Sequence, residues 1–291
     1  MSIATTYQQV FESIFFECFG HDVEILDFSV AAAGVVNTGA RVSTSEGVFF
    51  VKLNERPEPN FFQSESSDLE LLRPFLPVPT VIGHGKSQGY NFLVTDFIDE
   101  TPTAKPAFAE AGRHLALLHQ QRHNQFGHPY SNYLASVALP NEWKTDGINF
   151  LIQNRILPIV GYCLMEEKIS VDLYKRIESL CGRLGSIIPQ EDPSLLHGDL
   201  WTGNLMMGRG NKPWFIDPAC YYGFRESELA FTYLFGGFDA SFYEAYLELF
   251  PLEPGFGERV SIYHIHPLLV HVYLFGSGYI MGLERILKRF S

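Results

Sequence analysis

Apolar residues recur at helical spacing near the start of the chain. Tyr7, Val10, Phe11, Ile14, Phe15 and Cys18 share one face, and Gly20 ends that helix. The period then changes. Val23–Val30 predicts a strand, 31–39 is a loop of small residues, and Ala40–Ser43 resumes extended structure. Ser45-Glu46-Gly47 turns the chain into the strand Val48–Leu53. Phe61, Phe62, Glu65, Leu69, Leu72 and Phe75 place one face of a second helix inward, and Asn91–Thr95 is a further apolar strand. After Asp96-Phe97-Ile98-Asp99 the composition shifts to the linker Thr101-Pro102-Thr103-Ala104-Lys105-Pro106. Beyond it the pattern is helical. Phe108, Ala111, Leu115, Leu118 and His119 fit one helix, and Ile148–Val160 fits another, interrupted at Pro158. Ile169, Leu173, Ile177, Leu180 and Leu184 fit a third, and Leu229–Phe235 and Phe242–Phe250 continue the series. The expected fold is α+β and two-lobed. Residues 1–98 form a small antiparallel sheet with one main helix, and residues 99–291 form a larger α-helical lobe.

Two polar clusters stand out against this apolar frame. The first is Leu196-His197-Gly198-Asp199-Leu200-Trp201-Thr202-Gly203-Asn204, with Phe215-Ile216-Asp217 after it. An Asp, four intervening residues and an Asn, with a second Asp on a later turn, is the spacing of a phosphoryl-transfer centre. Such chemistry needs a base beside the attacking hydroxyl and oxygen ligands for a divalent cation. Asp199 is the candidate base. Asn204 and Asp217 are the candidate ligands, and hard oxygen donors of this kind suit Mg²⁺. An isolated Asp-Leu-Trp-Thr-Gly-Asn also fits a polar turn; the position of Asp217 and the upstream lysine decide for the catalytic reading.

That lysine is the second signal. Lys52 comes after Phe50-Val51 in an apolar strand, a setting that needs a partner or a route to solvent along the strand's edge. Glu65, beside the apolar face of the next helix, is the first candidate and Glu70 the second. In this arrangement Lys52 holds the α- and β-phosphates of ATP and Glu65 holds Lys52. The small-residue loop, with Gly34 and Asn37, is expected over the phosphates, although an ordinary hairpin turn reads the same way. Backbone groups from Asp96 to Ile98 are expected at the adenine edge. Trp201 and Tyr222 offer rings that either stack on a sugar face or pack beneath the catalytic loop; the residues alone leave both open.

Charge and cysteines narrow the class further. The 291-residue chain carries a formal charge of −12, which argues against nucleic acid and anionic membrane surfaces as partners. Cys18, Cys163, Cys181 and Cys220 are scattered, without zinc or redox spacing. With a polar start lacking a basic region, they lead to the expectation of a reduced, cytoplasmic protein. The stretch Val260–Leu283 lacks Asp, Glu, Lys and Arg, but its histidines, Pro267 and glycines predict interior helix rather than a membrane span. Oligomeric state is not readable.

With Phe50-Val51-Lys52, His197 to Asn204, Ile216-Asp217-Pro218-Ala219, Tyr221-Tyr222-Gly223 and Leu234-Phe235-Gly236-Gly237-Phe238 in view, the chain resembles the fructosamine kinase (ketosamine-3-kinase) family. The resemblance runs from about Gly34 to Tyr279. It implies a protein-kinase-like fold related to the aminoglycoside phosphotransferases. It also implies ATP- and Mg²⁺-dependent phosphorylation of the 3-hydroxyl of a fructosamine or ribulosamine, free or protein-bound, leading to deglycation. Asp199 is then the base, Asn204 and Asp217 bind metal, and Lys52 with Glu65 positions the nucleotide. A kinase for another hydroxylated amine, aminoglycoside- or choline-like, is the second reading, and a non-catalytic nucleotide-binding protein the third. The run Ala31-Ala32-Ala33-Gly34-Val35 lacks the cysteine many members carry there, so redox control through that loop is not expected. Gly147 succeeds Asp146 where the family often has Trp, which bears on the sugar accepted.

Overall fold

A computed structural model describes residues 3–30, 37–55, 61–102 and 105–290. The chain forms two compact units, 1–104 with 206–218, and 105–205 with 219–291. The shift of composition after Ile98 predicts a single change of unit there. The structure moves it past the linker and returns a later segment to the first unit. The cause is long-range hydrogen bonding that no local pattern announces. Thr101 donates its N–H to the Met207 carbonyl (2.7 Å) and its hydroxyl to the Gly208 carbonyl (2.8 Å). Phe215 donates to the Pro77 carbonyl (2.8 Å).

The first unit opens with α1 (Ile3–Phe19), then β1 (Ile25–Val30), β2 (Thr38–Thr44), β3 (Gly47–Asn54), α2 (Gln63–Leu72), β4 (Val81–Ser87) and β5 (Tyr90–Asp96). The strands form one antiparallel sheet in the order β1-β2-β3-β5-β4. Successive side chains of a strand point to opposite faces, which sorts the residues of β3. Phe49, Val51 and Leu53 point to one face and are buried with Phe11, Ile14 and Phe15 of α1. Full burial of each such side chain contributes about 1.5–3 kcal/mol. The alternate residues Phe50 and Lys52 therefore face the other side of the sheet, and both line a cavity there.

In the second unit, α3 (Lys105–His119) packs closely on the helix Ala240–Leu249. A Cβ on Gly112 would lie 2.1 Å from the Phe242 carbonyl oxygen, so this contact admits only glycine. Strand Ser194–Leu196 pairs antiparallel with Tyr221–Gly223, with Tyr221 opposite Leu196. This short ladder leads into the His197-Gly198-Asp199 loop. The helical run Gly147–Met165 contains a π turn at Leu151–Ile156, just before Pro158. Pro158 has no N–H for the Asn154 carbonyl, and Arg155 Nη1 donates to that oxygen instead (3.0 Å). Thus the expected interruption at Pro158 becomes a widened turn within a continuous helix. Among the described residues this run is long and apolar enough to cross a membrane by length and composition alone; it carries the buried Arg155. The 260–283 stretch is divided among the helices Phe256–Tyr263, Ile265–Phe275 and Ile280–Arg289, with breaks at His264 and at Gly276 (φ 91°).

Candidate active site

The first unit holds a charged centre at one end of an apolar slot. Lys52 Nζ donates to Glu65 Oε1 and to Asp217 Oδ1, both at 2.6 Å. Glu70 pairs instead with Arg73, in solvent. Burial works against the Lys52 charge, but the Asp217 and Glu65 carboxylates more than offset it, so its pKa stands above the ordinary lysine value. Burial, joined by the Asp217 charge, pushes Glu65 up to about 7 against the pull of Lys52. Asp217 has φ 57°, a left-handed backbone close behind the buried Phe215 that turns its carboxylate toward the lysine. The slot has a volume of about 200 Å³, and Phe50, Leu69, Leu93, Ile98, Met206 and Ile216 supply its apolar walls. An apolar slot with a clamped cation at one end suits a flat heterocycle joined to phosphates.

The other residues expected around a nucleotide divide. Asp96 lines the slot, but its N–H donates to the Thr80 carbonyl (3.0 Å) and its carboxylate accepts from Thr80 N–H (2.6 Å). Asp96 is thus committed to its neighbour. Ile98 also lines the slot, and its backbone N–H and C=O have no hydrogen-bond partner among the described residues, which leaves them open to a ligand. Asn37 accepts from Asn54 Nδ2 (3.0 Å), and Asn54 accepts from Asn91 (2.9 Å); this amide ladder braces the strand ends and does not line the slot. Gly34 lies outside the described residues.

The second unit holds the candidate catalytic loop. Asn204 Nδ2 donates to the Asp199 carbonyl (2.8 Å) and to Asp199 Oδ2 (2.9 Å), which fixes both side chains within one tight turn. With Nδ2 so engaged, Asn204 keeps Oδ1 as an acceptor, the kind of atom a hard cation requires. Asp199 N–H donates to His197 Nδ1 (3.3 Å), so His197 braces the loop through its backbone. No cluster of three or more His, Cys, Asp or Glu side chains suited to a metal occurs among the described residues. Asn204 Oδ1 here and, in the first unit, the Asp217 carboxylate are each oxygen donors of the kind that suits Mg²⁺.

Below the loop lies a clamp that sequence reasoning missed. Glu228 accepts from the backbone N–H of His197 (3.0 Å) and Gly198 (2.6 Å) and from His119 Nε2 (2.9 Å). His119 Nδ1 in turn meets the Tyr246 hydroxyl at 2.8 Å. Burial works against the Glu228 charge, yet the His119 hydrogen bond and the loop amides win, and its pKa is lowered. The one signal in the chain was the run Arg225-Glu226-Ser227-Glu228, three charges opening an otherwise apolar helix. Arg225 and Glu226 do not pair with each other. Arg225 meets Glu191 (2.9 Å), and Glu226 meets Arg259 and Tyr263.

Both aromatic candidates are partly exposed and meet other rings. Trp201 folds over Gly203, where a Cβ would lie 2.5 Å from the indole ring, and meets Phe235 edge-on at 6.0 Å. Tyr222 belongs to a stack with His123 (4.8 Å), which itself stacks on Trp143 (4.4 Å). Its neighbour Tyr221 lines a small cavity together with Gly198.

The sequence model of the fructosamine kinase family matches residues 7–291. The chain belongs to that family. A probable ketoamine kinase of Synechocystis sp. is 32% identical over 275 residues, covering 93% of this chain and 92% of the relative. The chloroplastic protein-ribulosamine 3-kinase of Arabidopsis thaliana is 31% identical over 273 residues, covering 89% and 81%. Among solved structures, a protein from Haemophilus somnus 129PT, provisionally named a fructosamine-3-kinase, superposes with a TM-score of 0.87 at 30% identity over 97% of each chain. The aminoglycoside phosphotransferase APH(4)-Ia shares the fold, with a TM-score of 0.65 at 15% identity over 98% of this chain and 96% of that one. The fold of this fructosamine kinase family member is accordingly protein-kinase-like.

Proposed function

We propose that the protein transfers the γ-phosphoryl group of ATP to the 3-hydroxyl of a ketosamine, a fructosamine or ribulosamine. It is a phosphotransferase with an alcohol group as acceptor. The observation that carries the nucleotide half is Lys52 held between Glu65 and Asp217 at the charged end of an apolar slot. Family membership and the names of the relatives support the acceptor half.

In this reading Lys52 neutralises the α- and β-phosphate oxygens, and Glu65 keeps its ammonium aimed. Ile98 offers its N–H and C=O to the adenine edge. Asp199 accepts the proton of the acceptor hydroxyl as that oxygen bonds to the γ-phosphorus; the bond to the β-phosphate oxygen breaks and ADP departs. Asn204 holds the Asp199 carboxylate through the bond to Oδ2, so the base is positioned before substrate arrives. Asn204 Oδ1 and the Asp217 carboxylate are the proposed donors to Mg²⁺, which when bound neutralises phosphate charge.

The test is ATP turnover with the purified chain and separate acceptors: a ribulosamine, a fructosamine, an aminoglycoside and choline. The expected product is a ketosamine bearing phosphate on the 3-hydroxyl, located by phosphorus-coupled NMR. Phosphorylation of the aminoglycoside or choline with the ketosamines untouched would overturn the acceptor assignment.

A further inference from the structure

Lys52 meets two carboxylates at the same distance, Glu65 Oε1 and Asp217 Oδ1, each at 2.6 Å. The two contacts are not equivalent. Lys52 and Glu65 come from strand β3 and helix α2, and their side chains are 11% and 17% exposed. The Asp217 side chain is 44% exposed and stands on a left-handed residue beyond the strand Lys212–Phe215. An ion pair open to water on one side contributes little to stability, so this second contact is the one a ligand breaks readily. The segment does not depend on it. Phe215 N–H bonds to the Pro77 carbonyl, and Thr101 bonds to the Met207 and Gly208 carbonyls, which already hold residues 206–218 to the first unit. Aiming Lys52 at phosphates requires Glu65 alone, and the bond to Asp217 has no part in it.

The Asp217 carboxylate is an oxygen donor of the kind Mg²⁺ takes, at about 2.1 Å. With Nζ 2.6 Å from Oδ1, an ion sharing that oxygen would stand within roughly 5 Å of the ammonium. Like charges this close, in a slot walled by Phe50, Leu93, Met206 and Ile216, repel far more strongly than in water. Moving the ion to Oδ2 lengthens the separation by the width of a carboxylate and leaves the sign unchanged. Phosphate oxygens reverse the balance. They attract the ammonium, whose four-carbon stem lets Nζ turn while Glu65 keeps its hold, and they bring negative charge of their own. Among the described residues Lys52 is the one basic side chain lining the slot, so once Nζ turns to phosphate nothing on the walls replaces it at Asp217.

We propose that Lys52 withholds Asp217 from divalent cations in the free protein and releases it when nucleotide phosphates draw the ammonium away, so that nucleotide and cation bind with positive coupling. The release rests on the nucleotide reading; the withholding does not. The probe is Mn²⁺, followed by electron paramagnetic resonance on protein without nucleotide or acceptor. Lys52→Met, checked for a retained thermal transition, should bind Mn²⁺ roughly tenfold or more tightly than the parent. Lys52→Arg keeps the cation and should stay as weak as the parent. The gain should disappear when Asp217→Asn is added to Lys52→Met. Equal affinity of Lys52→Met and the parent, a gain shared by Lys52→Arg, or a gain that survives Asp217→Asn overturns the proposal. Asp217→Asn alone suits a left-handed residue and frees the ammonium, so it should bind ADP in EDTA several-fold more tightly than the parent. No gain there also overturns the proposal, and this arm decides if Lys52→Met does not fold. Failure of the parent to bind ADP would remove the nucleotide reading and the release with it, while the Mn²⁺ comparison still decides whether Asp217 is withheld.

Discussion

Glu228→Gln removes one negative charge and one acceptor from the clamp beneath the catalytic loop. Gly198 N–H bonds to one carboxylate oxygen, while His197 N–H and His119 Nε2 share the other. Glutamine has a single acceptor oxygen. Whichever way the amide is turned, its NH₂ faces a backbone N–H of the loop. That leaves at least one buried donor unsatisfied, at about 1–3 kcal/mol, and loses the charge assistance of the rest. The total destabilisation is about 3–5 kcal/mol, the range for breaking one side of a buried charged network. Displacing the loop that carries Asp199 should lower kcat roughly 10- to 100-fold, the penalty for misplacing a reacting group by an ångström. The KM for ATP should change little, because Lys52, Glu65 and Asp217 belong to the other unit. Urea unfolding and steady-state kinetics test both halves. The folded pKa of Glu228 is lowered, so its contribution is present above the unfolded carboxylate value, about 4.3, and is lost as pH falls through the folded value. The variant should therefore lose less stability on acidification than the parent. A variant with the parent's unfolding midpoint and turnover would refute the clamp.

Three other substitutions have defined outcomes. Asp199→Asn should lower turnover by roughly 10² to 10⁴ with nucleotide binding retained, and an unchanged rate in the ATP assay removes Asp199 as base. Lys52→Met leaves Glu65 and Asp217 without their cation, so it should weaken ATP binding in a fluorescence titration and slow turnover; indifference would make Lys52 a packing residue. Gly198→Ala introduces a Cβ 1.9 Å from the Ala219 carbonyl oxygen at φ +86°, so the loop must move, and both thermal midpoint and kcat should fall. A fully active, equally stable alanine variant would contradict the described loop conformation.

Four of the five strands of the first unit were legible as apolar, β-branched and aromatic runs, and Lys52 stood out as a charge within one of them; Val81–Ser87, with its glycines and polar residues, carries no such signal and was missed. The pairing of Lys52 with Glu65 was readable from helix periodicity, since Glu65 shares the side of Leu69 and Leu72. Two further kinds of feature were not legible. The return of 206–218 to the first unit depends on backbone bonds between residues a hundred apart, which leave no trace in composition. The role of Glu228 depends on which amides it meets, and a glutamate at a helix start ordinarily reads as solvated charge. Tyr221 and Tyr222 show the same limit. Adjacent strand residues point to opposite faces, and identity does not say which face adjoins the Gly198 cavity.

The Lys52–Asp217 contact spans 165 positions of chain. During translation, the five strands of the first unit's sheet emerge long before the segment that closes its charged end. Until residue 217 clears the ribosome, Lys52 has Glu65 alone as counter-ion. A nascent chain stalled after the linker should therefore show the sheet without its competence for nucleotide, and separate expression of residues 1–104 should give a protein lacking that last carboxylate.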